Sequence, residues 1–208
     1  MWIVDFLAPR SCVFCGVLSD AGEQSICTAC YADLPWCDPL VSPTPGILEC
    51  SIAVLHYSFP VDVAIKALKF KRRLYYAPAF GEVLCSARSF LPNDIDAVLP
   101  VPLHWRRKAL RGFNQAAEIA KPVSKSLDLP IVRCVARKRA TPFQSGLDAA
   151  ARARNLRQAF IMQSSPAPRH VLIIDDVITT GATVRQLAKT LLAGRVQSVS
   201  ALVLARAH

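Results

Sequence analysis

Two adjacent carboxylates and the turn that follows them carry the clearest chemistry in this sequence. Asp175 and Asp176 come directly after the aliphatic residues 171–174, and a threonine- and glycine-containing turn (179–183) and a helical pattern (184–193) follow them. A continuous apolar run that ends in turn residues predicts a buried strand of a parallel sheet. Where a strand meets a helix, unpaired backbone N–H groups and the helix dipole favour an anion. A phosphate bound there, with carboxylates beside it to accept hydrogen bonds from hydroxyls, is the arrangement expected for a phosphorylated sugar.

The turn itself offers backbone and side-chain donors to a phosphate. A glycine lets the chain approach the anion closely, and threonine hydroxyls add donors. The candidate phosphate ligands are Thr179, Thr180, Gly181, Ala182 and Thr183. Adjacent acids after a strand can also simply cap the next turn. The Thr/Gly turn behind Asp175 and Asp176 favours contact with a ribose or with Mg²⁺ instead.

A second chemical motif lies near the start of the chain. Two C-x-x-C pairs are separated by eleven residues and consist of Cys12, Cys15, Cys27 and Cys30. This spacing is typical of a four-thiolate zinc site, whose sulfur atoms lie about 2.3 Å from the ion. Four protein ligands leave no position for water, so the predicted zinc is structural. Whether Cys37 and Cys50, which lie outside this spacing, take part is left open.

Charge and composition limit the classes of function. The net charge is +10, and residues 61–160 alone carry 19 Lys/Arg against seven Asp/Glu. This excess indicates an anionic partner, either a polyphosphate or a nucleic acid, although a solvated basic surface is the simpler explanation. Hydrophobic residues make up 52% of the chain, but no run is long enough to span a membrane. We therefore expect a soluble cytoplasmic protein with no membrane insertion.

Alternating strand and helix patterns position these motifs. They predict a parallel sheet with right-handed crossovers after a zinc-binding unit and linker (1–46), so the larger α/β domain covers 47–208. Predicted strands cover 51–57, 96–101, 131–135 and 198–204, with the motif strand before Asp175. Predicted helices cover 61–70, 79–90 after Pro78, 114–127 with a kink or break at Pro122, and 149–157. A mobile loop is expected at 137–148 and a hinge at 164–168.

Several segments together resemble one protein family. Residues 171–183 resemble the phosphoribosyl pyrophosphate (PRPP) motif of the type I phosphoribosyltransferases. The two C-x-x-C pairs, A-L-K-F, V-L-P-V-P-L-H, R-G-F-N-Q, T-P-F-Q and R-x-x-N-L-x-x-A-F narrow the resemblance to the ComF family of competence and DNA-uptake proteins. The resemblance covers nearly the whole chain. It implies a type I phosphoribosyltransferase-like parallel sheet flanked by helices, with a small N-terminal zinc-ribbon-like unit.

The resemblance also assigns roles to two basic segments. Residues 102–115 resemble the pyrophosphate loop of the fold, and residues 137–157 the flexible loop that closes over PRPP and excludes water. The first segment offers Arg106, Arg107, Arg111 and Asn114 as ligands. In the second, Arg137 and Lys138 would neutralise departing pyrophosphate, and the further candidates are Gln144, Arg152 and Asn155. A basic surface turn and an exposed charged helix are the simpler interpretations.

A third basic cluster has aromatic neighbours, Phe70, Tyr75 and Tyr76. Its members are Lys66, Lys69, Lys71, Arg72 and Arg73. Cations for phosphates and rings for bases are the combination that binds single-stranded nucleic acid without sequence preference. A solvated helix end explains the same pattern more simply.

Two functions follow from the resemblance. The first is a PRPP-binding, phosphoribosyltransferase-like protein involved in uptake of single-stranded DNA and natural transformation, with a DNA-uptake helicase or recombination mediator as partner. The alternative is an active PRPP-dependent transferase with an unidentified nucleobase or amine acceptor and no direct DNA role. Both imply structural Zn²⁺ and a Mg²⁺ ion that accompanies PRPP. The sequence leaves the acceptor, the retention of catalysis and the oligomeric state open.

Overall fold

A four-stranded parallel sheet forms the centre of the fold. The strands in the part of the chain that the structure describes are β1 (Ser51–His56), β2 (Ala97–Pro100), β3 (Val135–Arg137), β4 (Phe160–Met162), β5 (His170–Ile178) and β6 (Ser198–Arg206). The parallel sheet has the order β1-β6-β5-β2, and β3 and β4 form a separate antiparallel pair. The computed structural model describes residues 11–18, 24–38, 44–138, 159–163 and 168–207. The predicted loop beyond Lys138, the helix at 149–157 and all but the last residue of the hinge lie outside these residues.

Helices cover both faces of the sheet, as the sequence predicts for a parallel α/β fold. They are α1 (Thr28–Ala32), α2 (Val61–Lys71), α3 (Tyr76–Cys85), α4 (Trp105–Arg111), α5 (Gln115–Leu127) and α6 (Ala182–Ala193). Successive residues of β5 point to opposite faces: Leu172 and Ile174 join the core beneath α2, α3 and α5, while Ile173 joins the core beneath α6. The aliphatic run of β5 is continuous because both of its faces are buried.

Two predicted helices have different limits. Helix α3 begins at Tyr76 rather than at residue 79, because Pro78 lies in its first turn, where backbone N–H groups have no intrahelical acceptor. The predicted break at Pro122 is wrong, since α5 runs through it from Gln115 to Leu127. The Pro122 ring packs on α3 so closely that a Cβ on Gly81 would lie 2.1 Å from its Cγ. Buried Ile119 and Val123 hold α5 on both sides of the proline.

Two strand limits also differ from the prediction. Between residues 131 and 135 only Ile131 pairs with the main sheet, through a single bridge to Val98, and the chain then leaves to form β3. Strand β5 continues through Ile178, so Asp175 and Asp176 lie inside the strand rather than at its end. Pairing of β5 with β6 extends to this last residue.

The cysteine-containing segment packs directly on the α/β core. Cys12, Ile26 and Leu34 are buried in the same hydrophobic cluster as Ile52 of β1. Glu82 of α3 accepts hydrogen bonds from the backbone N–H of Ser25 (3.0 and 3.2 Å) and from its hydroxyl (2.7 Å). The predicted division of the chain at residues 46 and 47 stays a prediction. Among the described residues, the helices are all too short or too polar to cross a bilayer.

Candidate functional site

The turn between β5 and α6 has the conformation that an anion site requires. Gly181 has φ 71° and stands at the N-terminus of α6, which begins at Ala182. This left-handed conformation is available to glycine without strain. A Cβ at position 181 would lie 2.7 Å from Nη1 of Arg185, so the turn and the guanidinium are in close approach. A cavity of about 70 Å³ is lined by this turn and by Asp175.

The acidic pair lies buried beneath this turn. Asp175 and Asp176 are 9% and 3% exposed, and the backbone N–H of Asp176 donates to Oδ1 of Asp175 at 2.9 Å. Burial, and then the charge of Asp176, raise the pKa of Asp175 well above its ordinary value, while Lys69 acts in the opposite direction. A buried carboxylate needs cations nearby to remain ionised.

Lys69 is the cation in direct contact with the pair. Its Nζ forms an ion pair with Oδ2 of Asp176, and its side chain is 19% exposed. The sequence analysis assigns Lys69 to the candidate nucleic-acid cluster, but its ammonium contacts the acidic pair. It reaches the site from α2, more than one hundred residues before Asp176 in the chain.

A helix replaces most of the loop expected at residues 102–115. Helix α4 begins after His104, whose Nδ1 accepts from the backbone N–H of Arg106 at 3.3 Å. Arg111, at the end of α4, donates to Oε1 of Gln115 and lies over the ring of Phe70, 5.4 Å from its centroid. Burial lowers the pKa of Arg111, and the charge of Asp176 opposes that effect. Arg111 is therefore within electrostatic range of Asp176, and its role as a ligand stays a prediction.

Asn114 positions this wall of the site. Its side chain donates to the carbonyl of Val101 at 3.0 Å and accepts from the backbone N–H of Ala116 at 3.2 Å. The first bond holds the segment after β2, and the second caps α5. The Asn114 side chain thus connects the segment after β2 to the start of α5. Ligand contact by Asn114 stays a prediction.

The other predicted cations divide into two groups. Burial and the charge of Arg107 lower the pKa of Arg137, which belongs to β3, while the charge of Asp175 raises it. Arg137 is therefore within electrostatic range of Arg107 and Asp175. Arg106 instead lies over the exposed ring of Trp105, and Lys138 lines a separate cavity of about 550 Å³ with Met162. Gln144, Arg152 and Asn155 lie outside the described residues. The ligand roles of all these residues stay predictions.

The four predicted zinc ligands come together as a compact cluster. The sulfur atoms of Cys12, Cys15, Cys27 and Cys30 all lie within 4.8 Å of one another. Cys15 Sγ and Cys27 Sγ are 3.8 Å apart, and a tetrahedral ion with bonds of about 2.3 Å separates its sulfur ligands by about 3.8 Å. Cys37 and Cys50, which the structure also describes, are not part of this cluster.

The electrostatics and the donor atoms of these four cysteines fit a metal site. Burial alone would raise the pKa of Cys12, but backbone N–H groups of Cys27, Cys15 and Phe14 outweigh it and lower the pKa to about 6. Burial and the neighbouring thiols raise the pKa of Cys30. Four thiolates this close repel one another unless a cation joins them, and the donor set is the one that zinc prefers.

The sequence analysis did not predict that Lys69 and Arg185 lie beside the acidic pair and its turn. Arg185 could have been found, because it lies one helical turn after Gly181 and shares the N-terminal face of α6. Lys69 could not, because its position depends on how α2 packs on the sheet. The remaining basic cluster is exposed: Lys66 pairs with Asp62 on the surface of α2, and Arg73 lies 6.0 Å from the ring centroid of Tyr75.

Comparison with known proteins agrees with this geometry. Residues 114–208 match the phosphoribosyl transferase domain family. The chain is 35% identical to the DNA utilization protein YhgH of Escherichia coli K12, over 92% of this chain and 89% of that protein. It is 33% identical to competence protein F of Haemophilus influenzae, over 75% of this chain and 72% of that protein. Bacillus subtilis competence protein ComFC is 28% identical over 77% and 65% of the respective chains.

The relatives at 33–35% identity align with most of this chain. The fold predicted from the sequence motifs, a parallel sheet flanked by helices, is confirmed. The comparisons give no support to the alternative, an active PRPP-dependent transferase with an unidentified acceptor and no direct DNA role. This chain belongs to the ComF family, as a phosphoribosyltransferase-like relative of the competence and DNA utilization proteins.

Proposed function

We propose that this protein binds PRPP, together with Mg²⁺, at the acidic pair and the turn that follows it. The single observation that carries this proposal is the buried pair Asp175–Asp176 beside the Gly181 turn, at the start of α6. Lys69 contacts the pair, and the charges of Arg111 and Arg137 interact with it from two other elements. Acceptors for hydroxyls, donors for a phosphate and cations for a diphosphate therefore converge in one place.

Each group has a distinct task in this proposal. The N–H groups and hydroxyls of the turn bind the 5′-phosphate, with the dipole of α6 adding to the attraction. The carboxylates of Asp175 and Asp176 accept hydrogen bonds from the ribose hydroxyls. Arg107, Arg111 and Arg137 stabilise the pyrophosphate, whose negative charge is distributed over several oxygens. Gln144, Arg152 and Asn155 remain candidates for the same task.

The site fits a Mg²⁺ ion that arrives with the ligand. Hard oxygen atoms of the diphosphate would hold the ion, and the carboxylates of the acidic pair would help to balance its charge. Bound Mg²⁺ would supply charge neutralisation as pyrophosphate leaves. The zinc of the cysteine cluster is structural in this proposal and stabilises the fold. The protein would act in the cytoplasm.

Calorimetry with fragments of the ligand tests the proposal. The wild-type protein, loaded with zinc, is titrated with PRPP, ribose 5-phosphate and pyrophosphate, each with Mg²⁺. We expect micromolar affinity for PRPP and at least tenfold weaker binding of each fragment, because each fragment occupies only part of the site. Affinity for PRPP no greater than for pyrophosphate would show that the ribose is not recognised and would contradict the proposal.

A second proposed activity, contact with single-stranded DNA, has its own observation. Beside the site, Phe70 is 73% exposed and Tyr75 is 49% exposed, next to the exposed Arg72 and Arg73. Exposed rings and cations are the two components of sequence-tolerant single-strand binding. The names of the relatives, which refer to DNA utilization and competence, point to the same partner. A DNA-uptake helicase or recombination mediator would then be the protein partner.

Fluorescence anisotropy with a labelled oligothymidylate tests this contact. Replacing Arg72 and Arg73 by alanine should weaken binding and reduce the slope of log affinity against log salt by roughly 0.7 for each phosphate that is no longer neutralised. The Asp175→Asn/Asp176→Asn variant should retain DNA binding, because its change lies in the sugar-phosphate site. Unchanged affinity in the double-alanine variant would exclude this surface as the DNA contact.

A further inference from the structure

The last turn of α2 reaches into the proposed PRPP site. Lys69 Nζ contacts Oδ2 of Asp176, and the two side chains are 19% and 5% exposed. Lys69 lies outside residues 114–208, the segment that matches the phosphoribosyl transferase domain. The partner of a carboxylate of the PRPP motif is therefore supplied by the other half of the chain.

The packing of α2 directs this side chain to the site. Ile65 and Leu68 are fully buried against the sheet and fix the rotation of the helix. Lys66, one residue after Ile65, lies on the exposed face and pairs at 2.7 Å with Asp62 of its own helix. Helix α2 thus carries two lysines that each pair with an aspartate. Lys66 does so in solvent, and Lys69 does so with the buried Asp176.

Stability alone does not explain the inner pair. Removing an ammonium and a carboxylate from water costs free energy that their attraction often does not recover. A surface pair such as Lys66–Asp62 contributes little to stability. A buried pair whose attraction does not repay its desolvation, and that lies where a ligand is expected to bind, points to a role in binding.

The charge balance of the site shows what that role is. Lys69 of α2 forms an ion pair with Asp176. Arg111 of α4 and Arg137 of β3 interact electrostatically with Asp176 and Asp175, respectively. Ribose hydroxyls donate hydrogen bonds, so the pair must be ionised to accept several of them at once.

We propose that Lys69 is a positioning residue of the PRPP site, which orients the carboxylate of Asp176 to accept hydrogen bonds from the ribose. This inference rests on the proposed function, because it assigns Lys69 a task in PRPP binding. It also explains why a helix of the N-terminal half lies against the phosphoribosyltransferase motif.

A double-mutant cycle on PRPP affinity tests the inference. Lys69→Met keeps the length of the side chain and removes the charge. We expect it to weaken PRPP binding by roughly ten- to a hundredfold, the effect of removing one charged hydrogen-bond partner. In the Asp176→Asn background the same substitution should change affinity less than threefold, because its partner is gone. Lys69→Arg should restore most of the affinity, and Lys66→Met, the matched control on α2, should leave it unchanged.

A ligand-free cycle on the melting temperature separates this role from a merely structural one. Lys69→Met should lower Tm in the wild-type background, where it leaves a buried carboxylate unpaired, and should be neutral or raise Tm in the Asp176→Asn background. Equal effects of Lys69→Met in both backgrounds, on Tm or on PRPP affinity, would overturn the inference while PRPP binding by the wild-type protein stands. Absence of PRPP binding by the wild-type protein would overturn the proposed function and, with it, the role of Lys69.

Discussion

The cysteine cluster and the acidic site differ in how much of the chain each requires. All four sulfur atoms of the cluster come from residues 12–30, and they lie within 4.8 Å of one another. The acidic site takes Asp175 and Asp176 from β5, Lys69 from α2, Arg111 from α4 and Arg137 from β3. A closed local site of this kind stabilises structure, because it leaves no position for a substrate. An open site assembled from distant elements can change its partners when a ligand arrives.

The two sites also differ in how the repulsion between their negative charges is balanced. The thiolates of the cluster need one metal ion to remove their mutual repulsion, so metal binding and local folding are coupled. The carboxylates of the acidic site already have cationic side chains as partners, which a ligand can join or rearrange. The difference predicts that damage to the first site lowers stability most, whereas damage to the second lowers ligand affinity most.

The largest expected effect belongs to the cysteine cluster. Cys27→Ser removes one zinc ligand, and structural zinc contributes on the order of 10 kcal/mol to the folding of small metal-binding units. We expect loss of about one zinc per chain and a fall in Tm of about 10 °C or more, measured by metal analysis and calorimetric scanning. Cys37→Ser is the matched control, because Cys37 is not part of the cluster. Zinc retained in full by the Cys27→Ser protein would exclude the four-thiolate site.

An intermediate effect is expected at the phosphate turn. Gly181→Ala introduces a Cβ at φ 71° and 2.7 Å from Arg185, whereas Gly46→Ala introduces one at the same φ with nothing within 4 Å. Both variants should lose about 1 kcal/mol of stability from backbone strain. Only Gly181→Ala should also lose PRPP affinity, by roughly tenfold or more, because the donors of the turn are displaced. Equal PRPP affinities for the two variants would contradict a phosphate site at this turn.

The smallest expected effect concerns stability of the acidic site. Burial and Asp176 raise the pKa of Asp175 above its unfolded value of about 3.9. The folded state therefore holds this proton more tightly, so stability falls as pH rises from about 4 towards the raised pKa. Asp175→Asn, which retains the acceptor for the N–H of Asp176, should raise Tm by a few °C at pH 8 and by much less near pH 4.

In thermal scans at several pH values, Asp62→Asn should show the opposite pH dependence to Asp175→Asn. Its hydrogen bond with Lys66 lowers the pKa of Asp62. The stability that Asp62 contributes is present above its unfolded pKa and disappears as pH falls through its folded pKa. This substitution should lower Tm slightly at neutral pH and have no effect in acid. A fall in Tm of the Asp175→Asn protein at pH 8 would contradict a raised pKa of Asp175 in the folded state.

Sequence patterns correctly predicted those parts of the molecule whose structure depends on residues close together in the sequence. The β5 strand, the turn with Gly181 and the four cysteines follow from residue spacing within short segments, and the structure confirms their arrangement. Helix α5 shows where such reasoning fails. The propensity of Pro122 to break a helix is outweighed by packing of its ring against Gly81 on a different helix.

The same limit applies to the candidate site. Lys69 has the sequence context of a solvated lysine cluster, and only the tertiary packing of α2 brings it to Asp176. Asn114 has the context of a ligand-binding motif, yet its side chain connects Val101 to the start of α5. Short motifs therefore predict which residues matter to the site more readily than they predict what each side chain contacts.

The most direct test of the central claim is calorimetry of PRPP and Mg²⁺ with the wild-type protein and with Asp175→Asn/Asp176→Asn. Asp128→Asn serves as the control, because this residue lies in a left-handed turn that asparagine tolerates. We predict micromolar binding by the wild-type and control proteins and at least a hundredfold loss in the double variant. Equal affinity of the double variant and the wild type, or no binding by folded wild-type protein, would contradict a ribose-phosphate site at the acidic pair.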